Sequence, residues 1–415
     1  MLTPFRSGRY TWLWFSNAAS SSGRWGLVLV LSAQLLLVTH SSFWVGFGLF
    51  LTQGPTIFLA PVSGVLADRL DRRLLNVLSS LLGAAVCALF GALTWLGLLS
   101  LPWMLVLSLV YGIAFVFQLT IRSTLVPSVV PREALVPAIS LFQVGTQGSQ
   151  FLGPLLATPL FVSGGPAPAW MLCAALYAAS ALLSIPVGEV RVQWAGDAPK
   201  AGLRESMRYL RARPLVWTAI LAVALHCALT MGYQGMLPMF VTMDLQAPDS
   251  AYGALLASIG LGAVIGSVGL AWLSAPLYRP AFFAISLVGS GLSLSVMAVA
   301  PSVPAVVVFG FFVGSTQAVF MTLALALIQS SVEDSFRGRA TSVYQMITLA
   351  PMAVFGWGMG GLADITEPRP LMFICGIAFL AIMAGYAVVS TDLRSLFRSH
   401  GWAQGLTPAA VTAVS

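Results

Sequence analysis

The sequence predicts an all-α polytopic membrane protein with twelve transmembrane helices in two six-helix bundles. Three observations carry this. The 415 residues are 58% hydrophobic and 8% charged. Soluble domains carry about 25% charged residues, so a soluble globule of this composition could not cover its own surface. Apolar segments of about 18 residues or more, the length that crosses a bilayer, recur along the whole chain. They are continuous rather than alternating, which sets aside a β-barrel. Finally, the basic residues fall almost wholly on alternate connections.

In order, the segments fall at roughly 11–38, 43–66, 75–98, 102–121, 138–161, 169–188, 214–240, 251–274, 281–299, 303–329, 339–364 and 370–390. Pro102, Pro131, Gly164–Gly165–Pro166, Pro214, Pro280, Pro301 and Pro304 punctuate their ends. The longest connection divides six segments from six. The chain then reads as an N-terminal bundle (1–188), a cytoplasmic central loop (189–213), a C-terminal bundle (214–390) and a cytoplasmic tail (391–415). No cleavable leader is expected, because the first apolar stretch runs on too long.

Of the 20 basic residues, 18 sit on one set of connections. These are Arg6 and Arg9, Arg69, Arg72 and Arg73 in loop 2–3, Arg122 and Arg132 in loop 4–5, six in the central loop, Arg279 in loop 8–9, Arg337 and Arg339 in loop 10–11, and Arg394 and Arg398 in the tail. Arg24, inside segment 1, and Arg369, in loop 11–12, are the exceptions. The positive-inside rule then places both termini in the cytoplasm, as expected of an integral inner-membrane protein. The +7 net charge follows from topology and attraction to lipid headgroups, with no nucleic-acid partner implied.

In the central loop, Leu203, Met207 and Leu210 recur at helical spacing, as do Arg204, Arg208 and Arg211. An amphipathic helix on the inner leaflet and a plain basic linker both fit this pattern. Cys87, Cys173, Cys227 and Cys375 lie in apolar runs without CxxC spacing, so they read as buried free thiols, with no metal or disulfide. A faint self-match at an offset of 202 residues pairs Ala138, Ser140, Phe142 and Gln143 with Ala340, Ser342, Tyr344 and Gln345, and Gly64 with Gly266. It supports parallel six-span repeats.

The stretch Gly64–Leu75, GVLADRLDRRLL, packs Asp68, Arg69, Asp71, Arg72 and Arg73 between two apolar runs. An aspartate past one helix can accept hydrogen bonds from a neighbouring helix N-terminus, and arginines can pair with it or with lipid phosphate. This form resembles the loop between helices 2 and 3 of the major facilitator superfamily. Its D-R-x-D-R-R version is similar to the macrolide-efflux-like and enterobactin-exporter-like branch, with Asp71 where the general pattern has glycine. Segment 5 (Ser149–Thr158) resembles the antiporter motif of drug exporters, with Ala157 and Thr158 replacing its last two glycines. Val130–Glu133, Ser335–Arg339 and the entry to segment 7 extend the likeness over the chain.

The resemblance implies a monomeric secondary transporter working by alternating access. It would export an amphipathic, drug-like small molecule, as a multidrug efflux antiporter does. Export of an anionic metabolite or siderophore is the alternative, and proton coupling stays open. Gly64, Asp68, Arg69, Arg72 and Arg73 would form a conformational latch. Gly153 and Pro154 would form the antiporter-like bend, where proline removes a backbone donor and small residues allow close approach. The cavity would lie at the midplane between the halves.

Polar residues inside the spans are the substrate-binding candidates: Asn17, Arg24, Gln34, Gln143, Gln147, Tyr233, Gln234, Gln317, Tyr344 and Gln345. A charge such as Arg24 costs roughly 2.5–3.5 kcal/mol at the centre of a span on insertion scales, so it needs a cavity, a partner or a route to the interface. No Asp or Glu falls securely in the middle of a predicted span, and the exporter branch often carries an acid early in helix 1, where this chain has Arg24. His226 and Asp68 are therefore the proton-coupling candidates, with Asp244 and Asp364 as further acids at span edges. Neither a Walker motif nor a convergent His, Ser and carboxylate set is present, so no enzyme activity and no cofactor are expected. A transport-inactive membrane sensor or assembly protein is the alternative of another class.

Overall fold

The computed structural model describes residues 3–131, 134–189, 203–273, 278–332 and 337–397. The first half comprises α1 (Gly8–Thr39), α2 (Ser42–Gln53), α3 (Pro55–Arg69), α4 (Arg72–Trp95), α5 (Leu101–Val129), α6 (Leu135–Gly164) and α7 (Pro166–Ser184). The second comprises α8 (Leu203–Arg211), α9 (Pro214–Thr230), α10 (Leu237–Met239), α11 (Asp249–Leu273), α12 (Arg279–Val299), α13 (Val303–Ser330), α14 (Arg337–Thr366), α15 (Pro368–Val389) and α16 (Thr391–Leu396).

Local chemistry sets the ends. Ser7 starts α1 by accepting the Tyr10 N–H, and Asp71 starts α4 by accepting the Arg73 N–H at 2.9 Å. Proline in the first turn opens α7, α9, α12, α13 and α15, where its missing N–H is not needed. The second predicted segment is interrupted at Gly54–Pro55 and continues as α3.

Among the described residues, eleven helices are long and apolar enough to cross a membrane. The predicted fifth segment, α6, is a 30-residue helix outside that set. Gln143, Gln147 and Gln150, with its serines and threonines, dilute its hydropathy. The predicted seventh segment also departs from a single helix. It stops at Thr230, passes through a 3-10 turn at Gly232–Gly235, and ends in a π turn at Phe240–Asp244.

Each half packs on itself. In the first, α1 lies on α6 and α7, and α4 on α5 and α7; in the second, α13 lies between α11 and α12, and α9 packs on α14 and α15. The halves meet along two helix pairs, α6 with α11 and α2 with α14. Both pairings are backbone to backbone. A Cβ on Gly46 would lie 2.8 Å from the Gly356 carbonyl oxygen, and one on Gly360 would overlap the Ser42 carbonyl. Gly260 likewise abuts the backbone at Gln150–Phe151. The α2–α14 contacts lie toward the face that carries loops 1–2, 7–8 and 11–12, called the far face below, and the Gly260 contact lies near the middle of α6 and α11.

Helix α8 packs part of its apolar side on protein: Leu210 is buried, with Met207 beside it, in the core formed by α9, α13 and α14. Arg208 and Arg211 face outward.

Candidate functional site

A narrow crevice runs between the halves. Gly46, Leu49 and Gln53 of α2 form one wall, Met352, Ala353 and Gly356 of α14 another, and the broken stretch Met231–Gly235 a third. Irregular backbone at membrane depth is tolerated where it lines a cavity, and broken helices of this kind form transporter sites. Arg24 reaches this wall from α1. Its guanidinium donates to Gln53 Oε1 at 3.5 Å and lies over the Phe115 ring at 4.2 Å and the Trp25 ring at 5.5 Å. Among the described residues it has no carboxylate partner.

Of the predicted binding residues, Gln234 lines the crevice, and Arg24, outside the lining itself, bonds Gln53 of its wall. Tyr233 is in the same turn but buried, bonded to Gln317, whose amide also donates to the Thr230 carbonyl. Several others tie helices together. Asn17 donates to Thr146 Oγ1 at 2.9 Å, joining α1 to α6. Gln34 donates to Thr94 and accepts from Trp170 Nε1 at 2.7 Å, joining α1, α4 and α7. Tyr344 donates to the Met321 carbonyl at 3.0 Å, joining α14 to α13. Gln143 is exposed and Gln147 and Gln345 are half-buried, their amides unspent among the described residues.

His226 is buried in the second half. Its Nδ1 bonds Thr230 Oγ1 at 2.9 Å, its Nε2 has no partner, and the Phe320 and Phe379 rings flank it. It is not among the residues lining the crevice.

The charged loop divides in two. The surroundings of Gly64 and the side chains of Asp68 and Arg69 lie outside what the structure describes, as do residues 132–133 of loop 4–5 and 333–336 of loop 10–11. Arg72 donates to the Thr124 carbonyl at 3.1 Å and to Ser128 Oγ at 3.2 Å, while Arg73 donates to the Ile185 carbonyl and stands 3.9 Å from Asp71. These groups lash the ends of α4, α5 and α7. Asp71, which replaces the usual glycine, serves as the N-cap of α4. In the antiporter-like motif, a Cβ on Gly153 would lie 2.5 Å from the Ser22 carbonyl oxygen, so the glycine seats α6 on α1. Pro154 lies inside α6, and its carbonyl accepts from Thr158 Oγ1 at 2.6 Å.

Arg122 is a correction. Placed in loop 4–5 by sequence, it lies inside α5 and is 8% exposed. The helix runs on to Val129, past Pro127, so one of the 18 same-side charges is buried within a helix rather than on a loop. Arg122 donates to Asn76 Oδ1 at 3.2 Å and Ser180 Oγ at 3.4 Å. Around it, Asn76 donates to Ser184, and Ser16 bonds both Ser180 and Ser184.

At the far face, Asp244 accepts the Arg369 N–H at 2.9 Å and so caps the start of α15. Burial pushes its carboxyl above the ordinary aspartate value, outweighing the pull of the Arg369 N–H and guanidinium. The sign follows by linkage. The folded carboxyl binds its proton more tightly than the unfolded one, so ionisation costs stability above the folded pKa, and the cost fades as pH falls through it. Asp244→Asn keeps an acceptor without the charge and is expected to melt at an equal or higher temperature at pH 7. A clear drop in thermal unfolding temperature would contradict this.

Two helical halves with a crevice at a helix break have the architecture of a membrane transporter. The family model described as "Transmembrane secretion effector" matches residues 1–404, and the chain belongs to that family of major facilitator proteins. It is 27% identical over 377 residues to the enterobactin exporter EntS of Salmonella choleraesuis, covering 89% of each chain. Among solved structures it resembles the nucleoside transporter NupG (TM-score 0.70, 13% identity, 94% of this chain and 98% of that one). It also resembles the human organic anion transporter MFSD10 (TM-score 0.68, 13% identity, 96% and 100%). These structures share the major facilitator fold.

Proposed function

We propose that the transporter exports an anionic, ring-bearing small molecule of the siderophore class across the cytoplasmic membrane by alternating access. Arg24 is the observation that carries this reading. A half-buried guanidinium with only a neutral amide and aromatic rings for company is costly in a span, and a bound anion would repay it. Phe115 and Trp25 pack their rings against that charge and make its surroundings aromatic. Relatives named as enterobactin exporters support the same class. In this reading the termini are cytoplasmic, the far face is outermost, the latch at Asp68 guards the inner end, and the protein acts as a monomer. Met231 and Met352 in the crevice favour a second reading, export of neutral or cationic drug-like amphipaths, because methionine adapts to varied ligands.

The test is secretion from a host lacking its own siderophore exporters. Wild-type protein is expected to restore siderophore in the medium, and Arg24→Ala to lower it at least tenfold while leaving efflux of cationic dyes unchanged. Dye efflux alone, indifferent to Arg24, would favour the second reading. Repeating the assay with a protonophore reports on coupling through Asp68 or His226.

A further inference from the structure

At the far face, a side chain from the opposite half caps α2. Helix α2 begins without a cap of its own: Ser41, at the N-cap, makes no side-chain bond to the following N–H groups. Asp364, in the last turn of α14, supplies the cap. Its carboxylate accepts the Ser42 N–H at 2.5 Å, the Phe43 N–H at 3.1 Å and the Ser41 hydroxyl. These partners are more than 320 residues away in sequence and belong to the other half.

The placement is unfavourable locally. An acid in the final turn of a helix faces the negative end of its own dipole, whereas an acid at an N-terminus is stabilised. Asp364 is therefore opposed by α14 and satisfied by α2. That balance holds only while the two helices are in register. The register is set by the glycine contacts beside it, Gly360 on the Ser42 carbonyl and Gly46 on the Gly356 carbonyl. The Trp357 ring lies against Phe43 and Phe47, with centroids 5.7 and 5.0 Å away. If the halves part at the far face, α2 loses its cap and Asp364 is left on the wrong end of its own helix.

We infer that Asp364 is the far-face clasp of the transport cycle, a positioning residue that sets how long this face stays shut without touching cargo. It rests on the family assignment and not on the identity of the cargo. Its place mirrors that of Asp68, which stands in the last turn of α3 at the opposite end of the same antiparallel pair of spans.

The experiment needs no substrate. Gln234→Cys, at the crevice, is labelled with a membrane-impermeant maleimide from the far side in full-length protein; the native cysteines are buried. Adding Asp364→Ala is expected to speed labelling at least fivefold, and Asp364→Asn to give an intermediate gain. Unchanged labelling in a variant that melts at the parent temperature would overturn the proposal. A second arm avoids the folding question. Oxidising the double variant Ser41→Cys/Asp364→Cys is expected to stop transport of any cargo the parent moves, with recovery on reduction. Transport continuing at the parent rate in the cross-linked protein would overturn the proposal as well.

Discussion

Gly360→Val is expected to reduce transport below a tenth of wild type without unfolding the protein. A side chain there would meet the Ser42 carbonyl, which is backbone and cannot swing aside. Overpacking costs roughly 1–3 kcal/mol. The strain falls between the halves rather than within one, so it opposes closure of the far face instead of folding. Taken wholly from that closure, it shifts the open–closed equilibrium by about 5–150-fold toward the separated state. Gly269, whose added Cβ would meet nothing within 4 Å, is the control: Gly269→Val is expected to transport normally. Equal loss in both, or loss with a lowered unfolding temperature, would place the strain inside a half.

Arg122→Ala is expected to lower stability by about 3 kcal/mol or more. The substitution leaves a void in a packed interior, and an unpaired buried acceptor costs about 1–3 kcal/mol. The bereaved acceptor is Asn76 Oδ1. Arg122→Met is expected to cost less than half as much. It fills the space that Arg122→Ala leaves empty, while both variants remove the cation and leave Asn76 Oδ1 unpaired. Thermal unfolding of the two variants decides: equal losses would mean that the guanidinium's hydrogen bonds, and not packing, dominate.

Much of the architecture was legible because bilayer solvation is strict. Long apolar runs have few alternatives to spanning helices, so helices such as α4, α12 and α15 follow directly from the sequence. The close approach at Gly356 and Gly360 fits the rule that small residues at a spacing of four mark helix contact. What failed were inferences from charge alone. Arg122 looked like a loop residue because a cation in a span is costly, and its hydrogen-bond partners Asn76 and Ser180 come from α4 and α7, far away in sequence. The polar candidates blurred for the same reason. An amide inside a span signals a partner without saying whether that partner is cargo or helix. Gln34 turned out to hold Trp170 and Thr94, while Gln53, not singled out in advance, reached Arg24. Asp364 could be placed near a span end, but its partners on α2 follow only from tertiary contact.

The most direct test of the account is transport by purified protein in liposomes, comparing an iron-free anionic siderophore with a cationic dye in wild type and Arg24→Ala. The account predicts saturable siderophore transport by wild type, lost at least tenfold in Arg24→Ala with thermal stability preserved, while dye movement does not depend on Arg24. Siderophore transport that is absent in wild type, or undiminished in Arg24→Ala, would contradict it.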